Sequence, residues 1–185
     1  MTKILFLIFC SSIVLFGVGQ NSRGVDSLMN ILKEDNTADS NRVRTLLNLA
    51  EAIIYNHPDS SMKYTDEAMR ISREITWQKG IALSFRQKGH VHYVLSDNIN
   101  SMDYYLKALK EGESLNNQYF NATIYNNIAN IYADLKNYKK ALDYYSKYLA
   151  ISQEIKSKKD EMGVWMPAQH LRRTSLPGSL RLFRR

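Results

Sequence analysis

Cysteine is nearly absent from this chain. Cys10 is the only one among 185 residues, and it lies inside an apolar run at the N-terminus. Its early position and its flanking residues are unlike those of a bacterial lipid-attachment cysteine. Removal of the N-terminal run would leave no thiol, which excludes disulfides, thiolate metal sites and cysteine nucleophiles.

The chain also has little of what most catalytic and cofactor sites require. Its eight glycines form no phosphate-binding loop and flank no serine elbow. His90 and His92 are two residues apart, so on a helix they diverge by about 200° and cannot bind one metal ion. No carboxylate pair is forced together, and Asp103 and Asp143 simply recur with their neighbours. We therefore expect no enzymatic activity, no metal and no cofactor.

An excess of positive charge is missing from the body of the chain, although the formal total is +7. Residues 166–185 contain five arginines and no acid, which leaves 20 basic and 18 acidic residues before them. A stripe that binds phosphates belongs on a folded face, so we expect no nucleic-acid partner. We interpret residues 165–185 as a non-native or disordered basic tail, as a frameshift or a truncated gene would produce. The alternative is a genuine tail that docks on an acidic membrane surface.

A long apolar stretch occurs only at the N-terminus, where it is too short to span a bilayer. Lys3 precedes about 15 mostly apolar residues, and Gly17 and Gly19 are spaced for cleavage before Gln20. A membrane span needs about 20 such residues. The pattern predicts a signal peptide over residues 1–19, cleavage near Gly19-Gln20, and a periplasmic or secreted protein. An uncleaved anchor is the alternative.

Three similar nine-residue strings recur at an even spacing, beginning at positions 61, 101 and 141. A period of this length indicates stacked supersecondary units. Each unit reads as helix, turn, helix. The first helix carries a compact residue where neighbours cross closely, and the second shows a small, aromatic, small pattern. The signature residues are Ala50, Gly89, Ala129 and Tyr132 in the first helices, and Ser61, Ser101, Ala141, Tyr105 and Tyr145 in the second helices.

These units resemble tetratricopeptide repeats, and residues 121–151 match the family pattern best. The departures are Tyr148 in a slot for a small residue, His92 in a tyrosine slot and Thr65 in an aromatic slot. The resemblance implies an all-α fold, a right-handed superhelical solenoid of antiparallel helix pairs. Long repeats of about 40 residues are similar to those of exported bacterial sensor proteins.

The signature positions set the boundaries of the units. The pattern predicts a lead-in helix and a polar break over residues 20–40, followed by three repeats. We place these repeats over residues 41–75, 79–115 and 117–156, and the start of an unfinished fourth repeat over residues 157–164. The fourth is inferred because Gly163 and its neighbours echo Gly80 and its neighbours.

The resemblance also implies a groove lined by the first helices of successive units. The slots of the first unit hold Arg44, Leu47, Asn48, Glu51 and Ile54. The candidate peptide-binding residues of the second and third units are Arg86, Gln87, His90, Tyr93, Asn126, Asn127, Asn130 and Asp134. An asparagine offers a donor and an acceptor, so a ladder of asparagines can bind the backbone of an extended peptide. The alternative is that these are ordinary polar residues on a wet helix face.

We predict a non-enzymatic scaffold of the bacterial envelope that binds a protein or peptide ligand. The alternative is the truncated sensor region of a signal-transduction protein, a histidine kinase or transcriptional regulator that lacks its output domain. Self-association through the unfinished fourth repeat is a further option. We expect contact with a membrane only through an uncleaved signal or the basic tail.

Overall fold

The computed structural model describes residues 24–161, with side chains through residue 157. The predicted signal peptide, residues 20–23 and 162–164, and the basic tail lie outside the described residues. The described chain is helical and contains no strand. α1 covers residues 24–34, and it is followed by α2 (Ser40–Ile53), α3 (Pro58–Glu74), α4 (Gln78–Val94), α5 (Asn98–Ser114), α6 (Gln118–Asp134) and α7 (Tyr138–Glu161). None of these helices is long and apolar enough to cross a bilayer.

The helices from α3 onward begin at an even spacing along the chain, and α3 to α6 each have 17 residues. Capping side chains fix several of the starts. Asp39, Asp97 and Asn117 accept hydrogen bonds from backbone N–H groups in the first turns of α2, α5 and α6. Pro58 begins α3, where its missing N–H costs no helical hydrogen bond. One period of the sequence is therefore two helices of equal length with two short linkers.

The four linkers between α3 and α7 share one backbone conformation. In the first linker the Thr76 N–H donates to the Arg73 carbonyl and the Trp77 N–H donates to the Ser72 carbonyl, as in a Schellman motif. The same two hydrogen bonds recur at the ends of α4, α5 and α6. Each motif places one residue other than glycine in the left-handed region: Thr76 (φ 52°), Ser96 (φ 60°), Asn116 (φ 48°) and Lys136 (φ 58°).

The helices pack as three antiparallel hairpins, α2 with α3, α4 with α5, and α6 with α7. α3 and α5 also pack on the first helix of the following unit, which makes the stack continuous. One buried cluster lies mainly between α2 and α3, and a second joins α4, α5 and α6. Leu83 packs against both clusters. The predicted all-α solenoid of helix pairs is confirmed for the described residues.

Small residues allow the helices to approach closely within a hairpin. A Cβ added at Gly89 would lie 2.7 Å from Cδ1 of the buried Tyr105 ring. The Ser101 hydroxyl donates to the Gly89 carbonyl, and the Ser61 hydroxyl donates to the Ala50 carbonyl, both at 2.8 Å. The close crossing predicted at Gly89 is therefore present, and a serine of the second helix fastens it.

The end of α7 differs from the expected start of a fourth unit. α7 runs without a turn through Glu161, so residues 157–161 belong to this helix. Residues 162–164 lie outside the described part of the chain. Between Tyr138 and Glu161 the sequence contains no glycine, proline or asparagine that would stop a helix.

Candidate functional site

A polar surface crosses the first helices α2, α4 and α6, and we call it the first-helix face. Helical spacing places its residues on one side of each helix. They are Glu51, Tyr55, Arg86, His90, Tyr93, Asn126, Asn127, Asn130 and Asp134. Most of the candidate binding residues lie on this face, and two of its junctions between units are bridged by side-chain hydrogen bonds.

Glu51 and His90 bridge the junction between the first and second units. Glu51 Oε2 lies 3.2 Å from His90 Nδ1, and His90 Nε2 lies 3.5 Å from the Tyr55 hydroxyl. Burial raises the pKa of Glu51, but the hydrogen bond with His90 and the positive charge of Arg86 outweigh it and hold that pKa below its usual value. The Glu51 carboxylate is therefore stabilised in its ionised form.

Two tyrosine hydroxyls donate to side chains of α6, and the hydroxyl of Tyr93 bridges the second and third units. The Tyr93 hydroxyl donates to Asp134 Oδ2 at 2.6 Å, and the Tyr145 hydroxyl donates to Asn130 Oδ1 at 2.6 Å. Burial raises the pKa of Tyr93, and the hydrogen bond to the Asp134 carboxylate raises it further. Burial also raises the pKa of Tyr145. Both phenols therefore stay protonated and act as donors.

Gln87 is not where its candidate role requires it to be. Only 1% of the residue is exposed, so it lies beneath the first-helix face instead of lining it. Helical spacing turns it toward the core between Arg86 and Lys88, which are both partly exposed. Its Nε2 has no hydrogen-bond partner among the described residues.

The three asparagines of α6 are all partly exposed, but they differ in their partners. Asn130 already accepts a hydrogen bond from Tyr145. Asn126 and Asn127 make no side-chain hydrogen bond with the rest of the described chain. Their donors and acceptors are therefore available to a ligand, whereas the carbonyl of Asn130 already has a donor.

The first unit contributes less to this face than the family slots imply. Ile54 is fully buried and Leu47 is nearly so, and Leu47 packs in the cluster between α2 and α3. The prediction that these two residues face a groove is wrong, because apolar side chains at these positions complete the core. Arg44 lies 5.3 Å from the centre of the Trp77 ring, and Asn48 is exposed.

An aromatic stack recurs inside the second and third hairpins. Tyr104 stacks on His92 at 5.3 Å, and Tyr144 stacks on Tyr132 at 5.6 Å, both between ring centres. His92 and Tyr132 therefore each face the second helix of their own hairpin. The His92 ring also lies 3.1 Å from Asp97 Oδ2, which fixes its orientation.

Sequence reasoning missed two residues that make hydrogen bonds on the first-helix face. Tyr55 was assigned no role, and Tyr145 was assigned only to packing, although its hydroxyl reaches Asn130. The spacing of the partners along the sequence could have predicted the contacts between units. Glu51 and His90 are 39 residues apart, and Tyr93 and Asp134 are 41 apart, so each pair is close to one repeat.

The face carries polar groups suited to binding but no arrangement for metal chemistry. Within the part of the chain that the structure describes, no group of three or more His, Cys, Asp or Glu side chains could hold a metal ion. The observed pairs instead hold neighbouring units together. Fold and face together define a helical-hairpin repeat protein with a polar first-helix surface.

Comparison with known proteins identifies the class of repeat. Residues 80–154 match the family model of the tetratricopeptide repeat, so this segment of the chain carries tetratricopeptide repeats. The resemblance seen in the sequence is thereby confirmed. These repeats are generally non-catalytic scaffolds for protein interactions.

A solved structure has a similar fold. The crystal structure of BtubC (BKLC) from P. vanneervenii matches with a TM-score of 0.58 and 19% sequence identity. The match covers 77% of this chain and 58% of that one, so the present chain spans little more than half the length of its structural neighbour. No curated protein matches the sequence.

Proposed function

We propose that this protein is a non-enzymatic scaffold of the bacterial envelope that binds protein or peptide segments across a concave surface formed by the first-helix face. The tetratricopeptide family supports the general role. The observation that carries the proposed site is the pair Asn126 and Asn127, whose amides have no partner on a face where most other polar groups are satisfied.

The chemistry of this pair fits the backbone of an extended segment. Each amide offers two N–H donors and a carbonyl acceptor, which are the complements of peptide carbonyl and N–H groups. Because the contacts would be made to backbone atoms, the ligand needs no particular side chain at these positions. Tyr93 and Asp134 then border the site on the side of the second unit.

The test replaces Asn126 and Asn127 together by alanine and leaves Asn130 bonded to Tyr145. We expect unchanged helicity and at least about tenfold weaker binding of a captured envelope partner. A matched control replaces the exposed Asp103 and Lys110 of α5 by alanine, and it should bind as the parent does. A photo-crosslinking residue at position 127 should label the partner, whereas one at position 110 should not. Labelling only from position 110 would place the site elsewhere.

Export is a separate part of the proposal and rests on the apolar run of residues 1–19. When the full chain is expressed in a bacterium, we expect the product in the periplasmic fraction with a mass that begins at Gln20. Replacing three apolar residues of the run by lysine should retain the unprocessed chain in the cytoplasm. Recovery of only the unprocessed chain from the parent would contradict export.

Self-association through the last helix is a second candidate. In α5, Met102 and Leu109 pack against the core cluster. Their equivalents one repeat later, Leu142 and Leu149 of α7, are 60% and 52% exposed among the described residues. We expect concentration-dependent dimers in light scattering, and fewer dimers for Leu149→Lys. A monomer at all concentrations tested would count against this candidate.

A further inference from the structure

The linkers inside the three hairpins lie side by side at one edge of the stack, which we call the hairpin edge. It comprises residues 54–59, 95–99 and 135–140. Tyr93 near the end of α4 donates to Asp134, the last residue of α6. Glu51 and His90 make a similar contact near the ends of α2 and α4. The first helices therefore end level with each other, and the linkers that follow them are neighbours.

Apolar side chains recur along the hairpin edge and stay exposed. Leu95 and Leu135 are one repeat apart and are 49% and 56% exposed, and Tyr55 takes the equivalent position in the first linker. Ile99 and Tyr138, in the first turns of α5 and α7, are 84% and 63% exposed. A single exposed apolar residue is ordinary. A row that recurs with the units indicates an interaction surface.

The third linker adds positive charge to this edge. Lys136, Lys139 and Lys140 are all exposed, and none makes an ion pair with another described residue. Lys140 lies 5.1 Å from the centre of the Tyr132 ring. Lys139 and Lys140 occupy the first turn of α7, where the helix dipole disfavours positive charge and no acid compensates for it. The three charges therefore do not stabilise the helix they adjoin, and they suit an anionic partner.

We infer that the hairpin edge of the third unit binds the surface of an anionic lipid bilayer. Leu135 and Tyr138 enter the headgroup layer, and the lysines contact lipid phosphates. Tyrosine and lysine both suit this layer, because each has an apolar body and a polar end. The acids of the edge, Asp59 and Asp97, belong to the first and second units, so the third linker makes the main contact.

The size and shape of the edge favour a bilayer over a protein partner. A stable protein interface covers about 800 Å² on each side, which is more than one short linker offers. A bilayer instead gains affinity from a few inserted side chains and from each nearby lysine. The other linker tips lie in the same row, so a flat surface can reach them as well. This inference goes beyond the proposed function and adds a membrane contact that the sequence did not predict.

The experiment places an environment-sensitive label at two matched positions of the full-length chain. In a Cys10→Ser background, Tyr138→Cys and Tyr119→Cys each carry a nitrobenzoxadiazole group. Tyr119 is the control, since it is 65% exposed near the start of α6, at the opposite edge. The vesicles contain phosphatidylglycerol and phosphatidylcholine in equal parts, and a nitroxide on the acyl chains quenches any label that enters the bilayer. We expect a blue shift and quenching at position 138 and neither at position 119.

A charge variant tests the lysines. With Lys136→Gln and Lys139→Gln, at least about tenfold more vesicles should be needed for the same quenching at position 138, because each lysine near an anionic surface adds to the affinity. The control, Lys79→Gln with Lys110→Gln, removes two exposed lysines of α4 and α5 and should behave as the parent does. Circular dichroism checks that both variants keep their helicity.

The label also separates this contact from other routes to the membrane. The N-terminal apolar run and the basic tail are present in both labelled proteins, so binding through them alone would leave the two positions alike and would overturn the inference. Equal quenching of the lysine variant and the parent would do the same. A label at position 138 that responds to soluble polyglutamate but is not quenched by the vesicles would assign the edge to an acidic polypeptide instead.

Discussion

At the scale of single residues, Gly89 shows how the hairpin depends on the absence of a side chain. The ring of Tyr105 fills the space next to it and is only 1% exposed, so it has no free direction in which to move. Interiors are packed closely enough that even one added methyl group is felt.

We predict that Gly89→Ala lowers the free energy of unfolding by about 1–3 kcal/mol, because the new methyl group overlaps the Tyr105 ring. Urea denaturation followed by circular dichroism measures the change. Gly24→Ala serves as the control, since a Cβ there would meet nothing within 4 Å. Equal stability of the Gly89 variant and the control would show that α4 and α5 can separate at little cost.

Thr76 is the least suitable of the four residues in the left-handed region, because its β-branched side chain crowds the backbone there. We predict that Thr76→Gly raises the free energy of unfolding by about 0.5–1 kcal/mol through relief of this strain. Asn116→Gly should change stability less, because asparagine tolerates this conformation. A loss of stability in Thr76→Gly would mean that the Thr76 hydroxyl, which donates to the Ile75 carbonyl, matters more than the strain.

The residue scale also shows what the sequence could and could not predict. The close crossing at Gly89 was predictable, because Ala50, Gly89 and Ala129 recur at nearly the same place in successive units. The burial of Gln87 was not predictable. The family pattern assigns groove positions only approximately, and neighbouring residues of a helix can lie one in the core and one at the surface.

At the scale of elements, a serine hydrogen bond joins the two helices in each of the first two hairpins, and no serine occupies this position in the third. Ser61 and Ser101 donate to carbonyls of the first helix, whereas the third unit has the buried Ala141 at the equivalent position. The hairpins are otherwise built alike, so substitutions that remove the serine from one unit and add it to another measure the contribution of its hydrogen bond.

We predict that Ser101→Ala lowers the free energy of unfolding by about 1 kcal/mol through loss of its hydrogen bond to Gly89. Ala141→Ser should raise the free energy of unfolding by up to about the same amount. The new hydroxyl would donate to the Ala129 carbonyl, and it replaces a small buried group. Thermal unfolding of both variants and of the double variant measures the two effects. A destabilised Ala141→Ser would show that the third hairpin has no room for the hydroxyl.

The elements were the part of the fold best predicted from the sequence. The repeat spacing indicates paired helices, and the structure shows that Asp97 and Asn117 cap the starts of two of them. α7 continues through Glu161, past the predicted end of the third repeat at residue 156, because the intervening residues contain no helix stop signal.

At the scale of the whole molecule, the units are joined by unlike chemistry. An ionised acid and a histidine bridge the first junction, and the Tyr93 hydroxyl bridges the second. These contacts depend on helices from different units, so the sequence alone could not assign them, although the near-repeat spacing of the partners contains the information.

The first junction should respond to acid. The pKa of Glu51 is lowered from 4.5 in the folded protein, so its ionisation stabilises the fold above pH 4.5 and this contribution is lost as the pH falls through the lowered value. The charged or titratable groups around it are His90, Arg86 and Tyr55. We predict that the stability difference between the parent and Glu51→Gln is fully present above pH 4.5 and shrinks as the pH falls below that value. Urea midpoints across this range measure it, and a difference independent of pH would exclude the ionised carboxylate as its source.

The position of Trp77 gives the molecule an optical property of its own. The indole sits in the linker that joins the first two units and lies under the Arg44 guanidinium. Separation of these units would expose the ring to water and shift its fluorescence to longer wavelength. In a variant with Trp165 replaced by phenylalanine, emission would report on that joint alone, without any attached dye.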